Sequence, residues 1–493
     1  MDNLDTKIAH ATKWASFAEI AARFVLPISN MILARLLTPE AFGVVATVTI
    51  VITFANVFQD AGFQKYIIQH EFATQADYDR GANVAFWTNL ALSVILWVII
   101  VAFRNPIAVL IGDASIGKAV AIASVSLPIF AFSSIQTAHY RRNFAYKKLF
   151  WVRMITSLIP LALTVPLAYI LRSYWALIIG TIARGLAEAI ALYIGSSWKP
   201  KLFYSLKILQ EMFSFCIWTL FESISIWLTG NAGVFIVSRF LGTEMVGFYK
   251  TSISTVSSVI GIVSAATLSV LFSALSRLQN DENRFKTVFY NYQKTVAILV
   301  IPIGMGIWLF NDLFVRILLG PKWLYCSSFI GMFALAMAIS IPTSSFFSEL
   351  YRAKGKPKIS MLAQVVYLGF LIPSIAVASK YGFTAVAVTT TVDMYLFALV
   401  HLIIVKVYFK MNINVMLKNI AAILAVSSMM AAVALLLKSF SQNFVLELVF
   451  IVICMVVYIG LLIAIKPLRE TLKSSELTAG VYARVSKLLK AGK

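Results

Sequence analysis

Apolar runs of roughly 20 residues recur along the whole chain, each closed by a short polar gap. They fall at about 14–34, 42–63, 82–103, 118–138, 149–171, 174–196, 212–236, 246–271, 293–316, 327–349, 359–379, 383–405, 418–438 and 444–465. Coiled as an α-helix at about 1.5 Å per residue, such a run covers the ~30 Å hydrocarbon core of a bilayer. The apolar positions are continuous rather than alternating, which excludes a membrane β-barrel, whose strands face lipid with every second residue. The pattern predicts an all-α polytopic membrane protein with about 14 transmembrane helices, each satisfying its own backbone polar groups.

Charge then orients these helices. Arg141, Arg142, Lys147, Lys148 and Arg153 crowd one gap, and Lys199, Lys201 and Lys207 another. Arg277, Arg284, Lys286 and Lys294 mark a third, and Arg352, Lys354, Lys356 and Lys358 a fourth, with two apolar runs between successive groups. Even-numbered gaps and the termini hold roughly 30 Lys/Arg against roughly 10 in odd-numbered gaps, the bias that keeps loops in the cytoplasm. Both termini are therefore expected on the cytoplasmic side. Composition agrees: 60% of residues are hydrophobic and 13% charged, against about 45–50% and about 25% in soluble domains, so the length does not imply three soluble domains.

A net charge of +21 would suggest nucleic acid in a soluble chain. Here the excess sits beside membrane ends, where orientation and anionic lipid headgroups account for it, and no nucleic-acid partner is expected. Cys216, Cys326 and Cys454 show no paired spacing, and His10, His70, His139 and His401 are scattered, so neither a disulfide framework nor a metal or cofactor site is expected. The N-terminus lacks a cleavable leader pattern, and its first helix is expected to be retained.

The chain repeats itself. Arg35-Leu36-Leu37-Thr38-Pro39-Glu40-Ala41-Phe42-Gly43 matches Arg239-Phe240-Leu241-Gly242-Thr243-Glu244-Met245-Val246-Gly247, and Tyr140-Arg141 with Lys147 matches Tyr351-Arg352 with Lys358. Each pair stands six apolar runs apart, as two six-helix halves of the same orientation would place it. The expected organisation is a lobe over 1–200, a second over 201–410, two appended helices over 411–466, and a basic tail over 467–493. Parallel repeats of this kind hold their binding site between the halves, near the bilayer midplane. In the tail, Leu472, Leu477, Val481, Val485 and Leu488 recur at roughly helical spacing among Lys473, Arg484, Lys487 and Lys490, which suits a helix lying on an anionic membrane surface.

The stretch Ala34–Gly43 resembles the junction of helices 1 and 2 in bacterial oligosaccharide flippases. So do Tyr174-Trp175-Ala176-Leu177, Trp198-Lys199-Pro200, Arg239-Phe240-Leu241-Gly242 and Gly247-Phe248-Tyr249. The chain is similar in length and helix count to colanic-acid-exporter-like members of the polysaccharide transporter family, within the multidrug/oligosaccharidyl-lipid/polysaccharide superfamily. That resemblance implies a flippase, not an enzyme, in the bacterial cytoplasmic membrane. Its substrate would be an undecaprenyl-diphosphate-linked oligosaccharide, moved by alternating access coupled to H+ or Na+, with polymerase or export proteins as partners. Many relatives carry an Asp late in helix seven, where this chain has Thr229-Gly230-Asn231. Efflux of drugs or metabolites is an alternative within the superfamily. A polymerase or ligase is another, although the outward gaps are short.

A sugar headgroup loses its hydrogen bonds to water in hydrocarbon, so a flippase must supply a wet, cationic path. Arg23 and Arg184 are the two Lys/Arg deep within helices, and Glu19 and Glu188 each lie one turn away on the same face. Either pair can close on itself as a local ion pair, or the arginines can hold phosphate oxygens in the guanidinium fork. Glu222, Asp393 and Asp60 lack an obvious helical partner. A carboxylate in such a place can exchange a proton near neutral pH or bind sodium, although a solvated helix end also suits Asp60. Gly112-Asp113-Ala114-Ser115-Ile116-Gly117-Lys118-Ala119 nearly spells a phosphate-binding loop, but Ala119 replaces the magnesium-binding hydroxyl and no strand precedes it.

Overall fold

The computed structural model describes residues 27–60, 62–143, 145–278, 281–354, 356–440 and 443–474. Regular structure among the described residues is helical throughout, and twelve of their helices are long and apolar enough to cross a membrane. The polytopic all-α reading holds, while the count of 14 is not confirmed. The first expected span, 14–34, lies mostly outside the described residues, which are helical from 27 to 36. The eighth is present as a 35-residue helix, Thr243–Arg277, but is not among the twelve. Some of its side chains lie outside the described residues.

Several spans are interrupted, and local chemistry explains where. Ser124 and Ser126 donate back to the carbonyls of Ala121 and Ala123, each at 2.7 Å, at the break between Gly117–Ala123 and Ser126–Arg142. Such back-bonding loosens and bends a helix. Pro160–Thr164 and Ile341–Ser345 are π-helical turns that begin at or beside a proline. Proline lacks the N–H and crowds the preceding turn, and widening the helix relieves both. The buried Gln293 Nε2 donates to the Pro342 carbonyl at 3.1 Å, giving a polar atom of the widened turn a partner.

Two compact units make up the chain: Met1–Thr251 with Ile375–Phe383, and Ser252–Ser374 with Thr384–Lys493. In the first unit, the helices Pro39–Asp60, Gln75–Ala102 and Ser126–Arg142 enclose a core that includes Val48, Ile52, Val120 and Leu127. A second apolar cluster holds Tyr66, Phe86, Ile135 and Trp198. In the second unit, Glu282–Leu309 is the central helix and buries Phe289, Val296, Val300 and Ile301. Onto it pack Pro321–Ser348 and Ile413–Phe440, and Phe444–Ala464 packs on the latter. Tyr458 donates to the Ile298 carbonyl at 2.8 Å, and Lys438 to that of Leu309 at 2.9 Å. The short helix Lys466–Ser474 is anchored by Lys294, which reaches the Pro467 carbonyl at 2.9 Å. The rest of the expected surface helix lies outside the described residues.

The repeated motifs meet one another inside the first unit. A Cβ on Gly43 would collide with the Thr243 carbonyl oxygen, and one on Gly247 with that of Pro39. Gly43 and Gly247 are equivalent in the repeat, as are Pro39 and Thr243, so the crossing is reciprocal and both glycines are needed for backbones to touch. The second repeated motif folds alike in each unit. Asn143 and Ala145 donate to the carbonyls of His139 and Tyr140, as Lys354 and Lys356 do to those of Leu350 and Tyr351. A third correspondence escapes sequence inspection. Phe103 and Phe310 begin short helices, Arg104–Leu110 and Asn311–Leu318, each followed by a glycine of positive φ, Gly112 or Gly320.

Candidate functional site

Arg184 and Glu188 sit on Trp175–Gly195, a helix held close to its neighbours by small residues. Gly180 lies against Thr164, and Gly185 against Phe130 and Ile129. Ile179, Leu186 and Ile190 form an exposed apolar stripe on this helix. At about 100° per residue, Arg184 and Glu188 fall on the opposite side. Both are half-buried, and among the described residues no ion pair joins them. The local ion pair is therefore not formed in this conformation. Glu19 and Arg23 lie outside the described residues, and so does the side chain of Glu222, whose backbone belongs to the helix Leu206–Leu241.

Asp393 is 2% exposed and accepts a 2.7 Å hydrogen bond from Ser374 of the adjacent helix. It stands ten residues into Phe383–Phe409, about 15 Å along the axis and so near the middle of a ~30 Å core. A buried ionisable group at that depth is costly, and the Ser374 hydroxyl is the partner that offsets part of the cost. Asp60 closes the helix Pro39–Asp60, half-buried, and accepts from Ser134 Oγ at 3.2 Å. Gln64 donates to Ser134, and Arg141 to Gln64 Oε1 at 2.8 Å, so a chain of polar contacts runs from Asp60 to Arg141.

Neutral polar residues, which a search for charges passes over, extend these contacts. With its amide oriented to donate to Asn56 Oδ1 and the Leu127 carbonyl, buried Gln59 links the helices Pro39–Asp60 and Ser126–Arg142. Gln136 is fully buried with neither amide atom paired in the described structure. His139 contacts Tyr78 Oη at 2.8 Å and Ser197 Oγ at 3.0 Å, and in the other unit His401 contacts Tyr351 Oη at 2.9 Å. Burial raises the Tyr351 phenol well above its ordinary range, so it keeps its proton and can donate to the imidazole. The polar partners come from distant parts of the chain, which is why linear spacing does not reveal them.

Cavities of opposite character accompany these residues. A cavity of about 450 Å³ in the second unit is almost wholly apolar, lined by Pro302, Gly306, Phe310, Met430, Cys454 and Tyr458 among others. It suits hydrocarbon. One of about 410 Å³ in the first unit is polar, lined by Gln75, Tyr78, His139, Arg142, Asn143 and Lys148 among others. Arg142 spans the carbonyls of Ile67, Ile68 and His70, terminating the helix Phe63–Gln69 as a cation at a helix C-terminus should. The phosphate-loop look-alike is a helix end: Gly112 takes a positive φ against the Ser238 carbonyl, and Asp113 accepts from the Ser115 N–H at 2.9 Å.

The family described as polysaccharide biosynthesis protein matches residues 32–328. The succinoglycan biosynthesis transport protein ExoT of Rhizobium meliloti (strain 1021) is 25% identical over 321 residues, 65% of this chain and 64% of that protein. The match thus spans just under two thirds of that relative. The lipopolysaccharide biosynthesis protein WzxC of Escherichia coli (strain K12) is 20% identical over 80% of this chain and 81% of its own. Among solved structures, the lipid II flippase MurJ in an inward closed conformation shares the fold with a TM-score of 0.74 at 17% identity, covering 90% of this chain and 97% of that one. An inward-facing multidrug resistance MATE family transporter of the MOP superfamily gives 0.58 at 14% identity, covering 82% and 98%.

Proposed function

The chain belongs to the polysaccharide biosynthesis protein family, and from that premise we propose that it flips a lipid-linked oligosaccharide across the bacterial cytoplasmic membrane. The carrier is undecaprenyl diphosphate, and the repeat unit feeds synthesis of an exopolysaccharide, capsule or O-antigen. One observation carries the reading: in a chain of this family, an arginine and two carboxylates, Arg184, Glu188 and Asp393, stand within membrane-spanning helices and are not closed into ion pairs with one another. Membrane helices hold such groups where they face a path for polar cargo or ions. The guanidinium of Arg184 binds diphosphate oxygens, joined by that of Arg23, while Glu19 and Glu188 contact sugar hydroxyls. The apolar cavity beside Pro302 and Tyr458 supports a seat for part of the isoprenoid chain.

The cycle is alternating access, in which the repeat halves, 1–200 and 201–410, exchange between arrangements open to one leaflet and then the other. An ion gradient biases that exchange through Glu222, Asp393 or Asp60. A carboxylate does so only if the two arrangements bind the ion unequally. Both termini face the cytoplasm. The test is leaflet-resolved detection of lipid-linked sugar in cells with and without the gene, where loss should trap the lipid in the inner leaflet. Equal leaflet distributions would remove the proposal.

A further inference from the structure

We infer that the second unit carries a binding site for the headgroup of an anionic phospholipid, in a lysine-lined pocket at one end of its helices. The pocket, about 320 Å³, is formed by the start of Glu282–Leu309, by Lys354 and Lys356, and by the end of Phe383–Phe409. Four lysines line it, Lys286, Lys354, Lys356 and Lys410, against one carboxylate, Glu282, which accepts from Lys286 at 3.2 Å. Lys354 lies over the Phe285 ring at 4.4 Å from its centroid, and Lys356 over Phe409 at 5.7 Å. Aromatic faces thus hold two ammonium groups without cancelling their charge. Among the described residues the ammonium groups of Lys356 and Lys410 make no hydrogen bond or ion pair.

Two further features make this a site rather than a solvated charge cluster. Lys410 adopts φ 48°, the left-handed conformation that glycine or asparagine ordinarily supplies after a helix. A lysine there accepts backbone strain while delivering a charge to the pocket. The repeat-equivalent pocket of the first unit, built on the matching turn at Tyr140–Ala145, spends its cations internally. Arg142 is committed to the carbonyls of Ile67, Ile68 and His70, and Lys148 to that of Gly195. Among the described residues, the second-unit pocket keeps ammonium groups uncommitted to carbonyls, Lys356 and Lys410, where its first-unit counterpart has both of its cations engaged.

The surroundings choose the ligand. On Phe383–Phe409 the exposed residues Val388, Val392, Leu396, Leu399, Ile403 and Val407 follow one another at intervals of three or four, forming a continuous apolar stripe that ends at the pocket. A phosphodiester held by the lysines places its acyl chains on that stripe, whereas a soluble phosphate has no use for it. The site therefore takes phosphatidylglycerol-like lipid, and its existence does not depend on what the protein transports.

The test uses the full chain, delipidated in neutral detergent, titrated with phosphatidylglycerol, with phosphatidylcholine of the same chains, and with inorganic phosphate, read by native mass spectrometry. Wild type should bind phosphatidylglycerol at least tenfold more tightly than phosphatidylcholine, and inorganic phosphate at equal concentration should not displace it. Lys356→Gln combined with Lys410→Gly removes two charges, relaxes the strained position, and should weaken binding roughly 30-fold without lowering the unfolding temperature. Lys406→Gln with Lys418→Gln, equal in charge but outside the pocket, should bind as wild type. Unaltered binding in the pocket variant, equal loss in the control variant, no preference for the anionic lipid, or displacement by phosphate would each overturn the assignment.

Discussion

Arg184, half-buried on the side of its helix opposite Ile179, Leu186 and Ile190, has a planar fork that an ammonium lacks. Arg184→Ala should abolish polymer export while membrane insertion, read by protease accessibility or fractionation, stays normal; Arg184→Lys should restore only part of it. Full export in the alanine variant would take Arg184 out of the mechanism. Asp393 permits a sharper distinction, because Asp393→Asn retains an acceptor for Ser374 and removes only the charge. A purely structural role predicts unchanged flipping. A coupling role predicts that flipping in proteoliposomes loses its response to an imposed ion gradient, and Glu222→Gln should do the same if Glu222 is the coupling group. The charges were legible in the sequence because an ionisable residue inside an apolar run stands out. Ser374 as partner to Asp393, and Gln59, Gln136 and Gln293 as buried polar groups, were not, since neutral side chains barely disturb an apolar run and their partners are tertiary.

Helix positions were legible to within a few residues wherever the apolar run was dense, as in Phe444–Ala464. Helix shape was not. The π-turns at Pro160–Thr164 and Ile341–Ser345 depend on how each proline is accommodated. Gln293→Leu should destabilise the protein by about 1–3 kcal/mol, the cost of leaving the buried Pro342 carbonyl without its donor; a thermal unfolding curve in detergent identical to wild type would show that bond to be dispensable. The crossing of the repeated motifs should be less forgiving. Gly43→Ala or Gly247→Ala places a Cβ onto backbone oxygen, where no rotamer change relieves the clash, so each should cost at least the ~1–3 kcal/mol of ordinary overpacking. Wild-type unfolding temperatures in both variants would contradict the reciprocal contact.

The whole molecule combines a fold shared with MurJ over 90% of its length, membership of a polysaccharide biosynthesis family, and ionisable groups held within membrane helices. Fold likeness at 17% identity leaves the cargo open, so the central claim is that a lipid-linked sugar changes leaflets because this protein is present. Reconstitution into sealed liposomes loaded on one side with a lipid-linked oligosaccharide tests that claim most directly, with an impermeant sugar-modifying reagent reporting the opposite leaflet. The account predicts time-dependent exposure of the sugar with wild-type protein and background exposure with Arg184→Ala. Background exposure with correctly folded wild-type protein, both with and without an imposed ion gradient, would contradict it.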